Sequence, residues 1–303
     1  MTALYRYRAH AKINLGLEVL GRRTDGYHEV RTVLQSIALY DVIEVHPAAE
    51  EIVLTCSDPN LGTGEENLIM KAARALQAAF DCPKGARIHL TKRIPMQAGL
   101  GGGSSNAAVA LLAMARLWRL PTDPDSLMPI ARKLGSDVPY FLLGGTVLAV
   151  GRGEEVYALP DAPRFHLLIV RPSAGMSTGE AYSLLDSGLT GPRSPNRIMS
   201  IVQKLVDGKL DEGLFFNRFE EVATRRGDEA AALRQALMDV GASLGMLAGS
   251  GASWVGIFAS RAQAQEAYRR MAHRGISGLL SSTISRRDYW ELTQPRMGKE
   301  NLP

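Results

Sequence analysis

Cysteine is nearly absent: the 303 residues contain only Cys56 and Cys82. Two thiols cannot build a disulfide framework, and these lack the paired spacing of a zinc site, so a reduced, cytoplasmic setting is the expectation. The six histidines form no metal-ligand pattern either. Runs of like charge are also missing. Lys and Arg number 35 against 31 acidic residues, and the resulting charge of +4 is spread along the chain. Nucleic acid is therefore not an expected partner, and no aromatic-basic cluster speaks for an RNA-binding module. Met1 to Arg23 alternates polar with apolar residues, unlike a secretion signal. Ala98–Ala115 and Val240–Ser260 are uncharged and approach the length of a membrane span, but both are rich in Gly and Ser, which make up nine of the 21 residues of the second. No membrane partner is expected, and the second stretch reads as a loop entering a buried strand.

What is present is the composition of a folded chain, 46% hydrophobic and 22% charged, long enough for two domains. From Tyr5 to Pro47 the periodicity is two: Ile13, Leu15, Leu17 and Val19 alternate with Lys12, Asn14, Gly16 and Glu18, which predicts strands interrupted by a turn at Thr24-Asp25-Gly26-Tyr27. Helical spacing follows over 67–80, a strand over 86–94, and a glycine loop leading into a helix that ends near Arg119. Ala, Val, Leu and Met surround that helix, so it should be buried, with Ser104 or Ser105 as its cap. A further helix is expected near 125–134 and strands at 145–150 and 165–171. Pro160, Pro163 and Pro172 cluster around a boundary at residue 162, giving domains 1–162 and 163–303. Beyond it, helices are expected at 178–185, 197–206, 228–240 and 262–274, with strands at 254–258 and 276–283. The tail from Gln294 reads as frayed.

The segment richest in chemistry is Pro95-Met96-Gln97-Ala98-Gly99-Leu100-Gly101-Gly102-Gly103-Ser104-Ser105. Glycines allow close backbone approach to a ligand, and free amides at the start of a helix attract an anion, so a polyphosphate is the natural guest. The segment is neither a P-loop, since the lysine before Ser/Thr is missing, nor a dinucleotide fingerprint, since its glycines are consecutive. The plain alternative is a flexible loop with a serine cap, but so glycine-rich a run loses much entropy on folding and needs a reason. Two lone charges also stand out. Asp137 sits in the apolar run Gly135-Ser136-Asp137-Val138-Pro139-Tyr140-Phe141, where either it or Ser136 caps a helix begun by Pro139, or Asp137 meets a cationic or hydrogen-bonding partner. Lys12 lies among strand formers, and spacing alone favours a solvated face for it.

Together, Ala11-Lys12-Ile13-Asn14-Leu15, the glycine-serine loop and Gly135-Ser136-Asp137-Val138-Pro139 resemble the GHMP small-molecule kinases. The likeness runs from about Tyr5 to Thr283 and weakens in the last third. It implies an α+β, two-domain GHMP kinase fold, with an N-terminal ribosomal-protein-S5-like domain that binds ATP and a C-terminal ferredoxin-like α/β-plait domain. It also implies transfer of the γ-phosphoryl of ATP to a hydroxyl, with Pro95 to Ser105 cradling the phosphates. Asp137 would take or orient the hydroxyl proton and Lys12 would hold Asp137 ionised, which moves Lys12 from a solvated face to the site. Mg²⁺ should accompany ATP, and Ser105 is the one ligand the resemblance suggests.

Arg23-Thr24-Asp25-Gly26-Tyr27-His28-Glu29 is similar to one branch of the family, whose acceptor is a cytidine diphosphate methylerythritol. By that likeness Tyr27 and His28 contact the cytosine, Tyr182 supplies a second aromatic, and Asn14 hydrogen-bonds the polyol. The ordinary alternatives are a hairpin aromatic for Tyr27 and a core residue for Tyr182. A third family motif stands at Leu247-Ala248-Gly249-Ser250-Gly251-Ala252-Ser253, where Ala248 replaces the usual Ser or Thr, and Asn106 stands where many relatives carry Asp. The competing readings are a relative acting on homoserine or a mevalonate-type acceptor, and a nucleotide-binding regulator without catalysis. The Thr24 to Glu29 segment argues against the first, and the presence of both Lys12 and Asp137 against the second.

Overall fold

Two long strands form the frame: β1 (Tyr5–Arg22) and β2 (His28–Ala48) pair antiparallel along nearly their whole length. The turn between them closes through Tyr27 N–H donating to Asp25 Oδ1, with Gly26 at φ +85°, a conformation natural to glycine. The computed structural model describes residues 5–173, 177–188, 197–225 and 228–297. After β2 come β3 (Ile52–Cys56), α1 (Leu68–Ala79), β4 (Gly85–Thr91), α2 (Gly102–Trp118), α3 (Pro124–Leu134), α4 (Val138–Phe141), β5 (Thr146–Val150) and β6 (Glu155–Ala158). The second half contains β7 (His166–Val170), α5 (Thr178–Gly188), α6 (Arg197–Val206), β8 (Phe216–Asn217), α7 (Glu220–Arg225) and α8 (Asp228–Asp239). It continues with β9 (Leu244–Leu247), β10 (Trp254–Phe258), α9 (Arg261–His273), β11 (Gly278–Ser282), α10 (Arg286–Thr293) and β12 (Arg296–Met297).

The first sheet runs β12-β1-β2-β4-β3, with β5 and β6 extending from β2, and β8 lying parallel on β1. The second runs β11-β7-β10-β9 with every pair antiparallel. Numbered within its own half that order is 4-1-3-2, and helices intervene between its first and second and between its third and fourth strands, the ferredoxin-like arrangement. The sheets face one another across a core that includes Ile13, Leu15, Leu167, Ile169 and Val255. Beyond the first sheet lies α2, buried from Ser105 to Ala115 as its apolar composition requires. Its cap differs from the expectation. Gly101, in the left-handed region, occupies the cap position without any side-chain bond, and both serines lie inside the first turn.

The division at residue 162 falls between β6 and β7, but the chain does not separate cleanly there. α10 packs back onto the first half: Tyr289 Oη donates to Phe141 O, Trp290 Nε1 donates to Leu143 O, and the Arg286 guanidinium donates to the carbonyls of Gly144, Thr146 and Leu159. Arg296–Met297 then pairs with Tyr5 and Arg6, so residues 294–297 of the expected frayed tail belong with the first layer, and residues 298–303 of it lie outside the described residues. Short strands such as β3, β6 and β8 carry too few residues to show a period in sequence.

An irregularity in β1 positions the site. Between His10 and Lys12 the register against β2 shifts. Tyr7 and Ala9 pack on the helix side of the sheet, whereas Ala11, Ile13 and Leu15 pack between the sheets. The faces exchange at this point, which turns Lys12 and Asn14 toward the start of α2.

Candidate active site

The loop before α2 is pinned at three places. At its entry the fully buried Asp41 carboxylate accepts the N–H groups of Arg93 and Ile94 at 2.6 and 2.8 Å, and Lys92 Nζ at 2.8 Å. A buried carboxylate with this many donors is satisfied, so it holds the chain rigidly. In the middle, Lys12 N–H donates to Leu100 O at 3.0 Å. On its outer side Gly99, at φ +73°, passes so close to the loop 247–253 that a Cβ would lie 1.9 Å from Ala248 O. The loop thus delivers residues 95–104 to the wall of a cavity of about 620 Å³, with the free amides of the first turn of α2 at its base.

Lys12 is 4% exposed. Its Nζ donates to Asn14 Oδ1 at 2.9 Å and stands 3.6 Å from Asp137 Oδ2. Asp137 occupies the N-cap position of α4, as the capping alternative expected, but its side chain makes no capping bond, and its partly exposed carboxylate stays free for other partners. Asn14 is held on both sides: Oδ1 also accepts Gly249 N–H at 3.1 Å, and Nδ2 donates to Thr32 Oγ1 at 2.8 Å. One Nδ2 proton is left for the polyol contact expected of Asn14.

A second cavity, about 560 Å³, is lined by Tyr27, His28, Tyr182 and Asp186. Five residues border both cavities: Ser104, Asp137, Arg152, Thr178 and Tyr182. The His28 ring stacks on Tyr182 with centroids 4.6 Å apart, and its Nε2 is hydrogen-bonded to Asp186 Oδ1 at 2.7 Å. Tyr182 meets Phe219 edge to face, so its ring cannot turn freely. Burial, and secondarily the Asp137 carboxylate, push the Tyr182 phenol above its ordinary pKa of 10. Tyr27 is exposed, with the Arg152 guanidinium 4.8 Å from its ring centroid.

Ser105 alone among the loop residues named from sequence leaves the cleft lining. It is fully buried and its hydroxyl donates to His10 O at 2.6 Å, because the helix is capped at Gly101, four residues before Ser105. Sequence reading also missed Asp41, Thr32 and Arg152. Only Arg152 carried a signal, as a cation between two glycines at positive φ, Gly151 and Gly153. Among the described residues no group of three or more His, Cys, Asp or Glu side chains is placed to hold a metal ion. Among them, too, no helix is long and apolar enough to cross a membrane.

Comparison with known proteins agrees with this geometry. Residues 67–145 match the GHMP kinases N terminal domain and residues 204–277 the GHMP kinases C terminal domain. The fold and its cleft are those of a GHMP kinase. A 4-diphosphocytidyl-2-C-methyl-D-erythritol kinase of Pelotomaculum thermopropionicum is 41% identical over 280 residues, covering 92% of this chain and 98% of its own. One from Solibacter usitatus is also 41% identical, covering 84% and 81%. A crystal structure of 4-(cytidine 5'-diphospho)-2C-methyl-D-erythritol kinase superposes with a TM-score of 0.77 at 33% identity, over 92% of this chain and 98% of that one. Homoserine kinase of Cytophaga hutchinsonii shares the fold alone, with a TM-score of 0.75 at 18% identity over 98% of both chains. Within the GHMP kinases, this chain belongs to the 4-diphosphocytidyl-2-C-methyl-D-erythritol kinase family.

Proposed function

We propose that this protein transfers the γ-phosphoryl group of ATP to the 2-hydroxyl of 4-diphosphocytidyl-2-C-methyl-D-erythritol, a cytoplasmic step of the non-mevalonate route to isoprenoid precursors. One observation carries the reading: Asp137, with Lys12 beside it, borders both cavities, one walled by the glycine loop and the other by Tyr27, His28 and Tyr182. ATP in the first and the cytidylyl acceptor in the second would bring phosphoryl donor and hydroxyl together at Asp137. The amides at the start of α2 would bind the phosphates, and Lys12 would balance charge as it develops on the transferred group. Asp137 would accept or orient the hydroxyl proton. Tyr27 and Tyr182 would hold the cytosine by stacking, with His28 fixed by Asp186 to read its edge.

Mg²⁺ belongs to this reading as the companion of ATP. The donor set fits a lightly held ion: with Ser105 committed to His10, the amide oxygen of Asn106 is a buried oxygen of the cleft lining that has no hydrogen-bond partner among the described residues, and it would be available to the ion. Phosphate oxygens and water would supply the remaining ligands, and the ion would neutralise phosphate charge.

The test is ADP release, coupled to a spectroscopic readout, with ATP, Mg²⁺ and each of three acceptors: the cytidylyl methylerythritol, homoserine and mevalonate. Release with the first alone is the expected result. Release with another acceptor would overturn the reading of Tyr27 and His28, and no release with any would overturn the catalytic assignment.

A further inference from the structure

Thr32 is an unassuming residue of β2, and it is 4% exposed. Its hydroxyl has a single proton, which it donates to Gly16 O at 2.7 Å. Gly16 lies where β1 bulges, with one residue more than β2 between the pairs Asn14–Leu34 and Gly16–Val33. Because that proton is spent, the 2.8 Å bond between Thr32 Oγ1 and Asn14 Nδ2 has only one direction: Asn14 donates and Thr32 accepts. An amide has two chemically different ends, so fixing its nitrogen on Thr32 fixes its oxygen on the other side. That oxygen accepts Lys12 Nζ and Gly249 N–H. With the amide reversed, an NH₂ group would confront an ammonium and a backbone N–H, three donors with no acceptor.

We propose that Thr32 is a positioning residue for phosphoryl transfer: by fixing the sense of the Asn14 amide it aims the Lys12 ammonium at Asp137 and ties the loop 247–253 to the same point. Thr32 borders the first cavity, but its one hydroxyl proton is held by Gly16 O, and its part in this scheme is played through Asn14. Gly249 is itself gripped from behind, since Asn217 Nδ2 donates to Gly249 O at 2.7 Å and to Leu247 O at 2.9 Å. The relay therefore runs from a bulge in the first sheet, through one amide, to a lysine and to a loop of the second half. The proposal rests on the catalytic placement of Lys12 given above.

The test compares Thr32→Val, which keeps the shape and loses the hydroxyl, with Thr32→Ser, which keeps the hydroxyl. Thr32→Val should lower kcat about tenfold to a hundredfold while KM for ATP stays within about threefold. Thr32→Ser should recover kcat to within about threefold of wild type. If Val is too disruptive to fold, Thr32→Ser against Thr32→Ala separates hydroxyl from methyl in the same way. Unchanged turnover in Thr32→Val, or equal losses in Val and Ser, overturns the proposal. Proton exchange of the Asn14 side-chain amide, followed by NMR in ¹⁵N-labelled protein, gives a readout that does not depend on turnover. Slow exchange in the wild type and fast exchange in Thr32→Val is expected, and equal rates would overturn the relay. Should the wild type release no ADP with any acceptor, the functional reading fails, and the exchange measurement still decides whether Thr32 holds the amide.

Discussion

Lys12 Nζ lies 3.6 Å from Asp137 Oδ2, with the lysine almost wholly buried and the aspartate half-exposed. The separation exceeds a charge-assisted hydrogen bond, so the carboxylate feels the cation without being consumed by it. A group arranged in this way can still meet a hydroxyl from the acceptor side.

Removing that charge should stop the reaction without disturbing ATP. Asp137→Asn is expected to cut kcat about 10²- to 10⁴-fold, with KM for ATP within about threefold of wild type, measured by steady-state ADP release. Turnover near the wild-type value would take Asp137 out of the mechanism.

The acceptor is a diphosphate diester, and Arg152 borders its proposed cavity. Nε donates to Glu154 Oε1 at 3.0 Å, while the guanidinium leans on Tyr27. Arg152 borders both cavities but leans on Tyr27, so Arg152→Gln should raise KM for the cytidylyl acceptor about tenfold, the scale of one lost charge-assisted contact, and raise KM for ATP by less. Tyr27→Ala should act in the same direction. Equal rises for both substrates would contradict this division of the cleft.

Contact between the two glycine loops predicts a backbone-level defect. Gly99→Ala would place a Cβ 1.9 Å from Ala248 O at a φ of +73°, so one loop must retreat. Stability should fall by about 1–3 kcal/mol, read as a lower Tm, and KM for ATP should rise. A variant with wild-type Tm and KM would show that the loops yield freely.

Acid should destabilise the protein through His10. Burial first, and then the charge of Arg8, lower its pKa from 6.5 to about 4, and its Nε2 has no partner among the described residues. The folded chain therefore keeps this ring neutral where the unfolded chain would protonate it. The contribution is complete above pH 6.5 and is lost as pH falls through the window down to about 4. Its size is on the order of 3 kcal/mol. Denaturant titrations at pH 7 and pH 4.5 should show a smaller loss for His10→Leu than for wild type, and parallel losses would remove His10 from the acid response.

Much of this molecule is legible in one dimension. A mostly two-residue period marks β1 and β2, because side chains alternate between the two faces of a strand even where, as in β1, both faces are buried. The Ala-rich run after the glycines gives a helix that can bury every side, and the boundaries of β10 and α6 follow from composition and period. The glycine loop, Lys12 and Asp137 are each visible as residues whose type jars with their surroundings. Their family resemblance then names a chemistry for them.

What the sequence by itself determined, then, is the set of elements and the residues out of place within them. The meeting of those residues was decided in three dimensions. Alternation along β1 continues through residues 7 to 15 unchanged, yet the faces exchange at the register shift by His10, and only that shift directs Lys12 toward α2. The pinning of the loop by Asp41, the orientation of Asn14 by Thr32 and the return of α10 to the first sheet share a cause. Each is a bond between residues distant in the chain, formed because a buried polar group must find a partner, and no local pattern records which partner it will be.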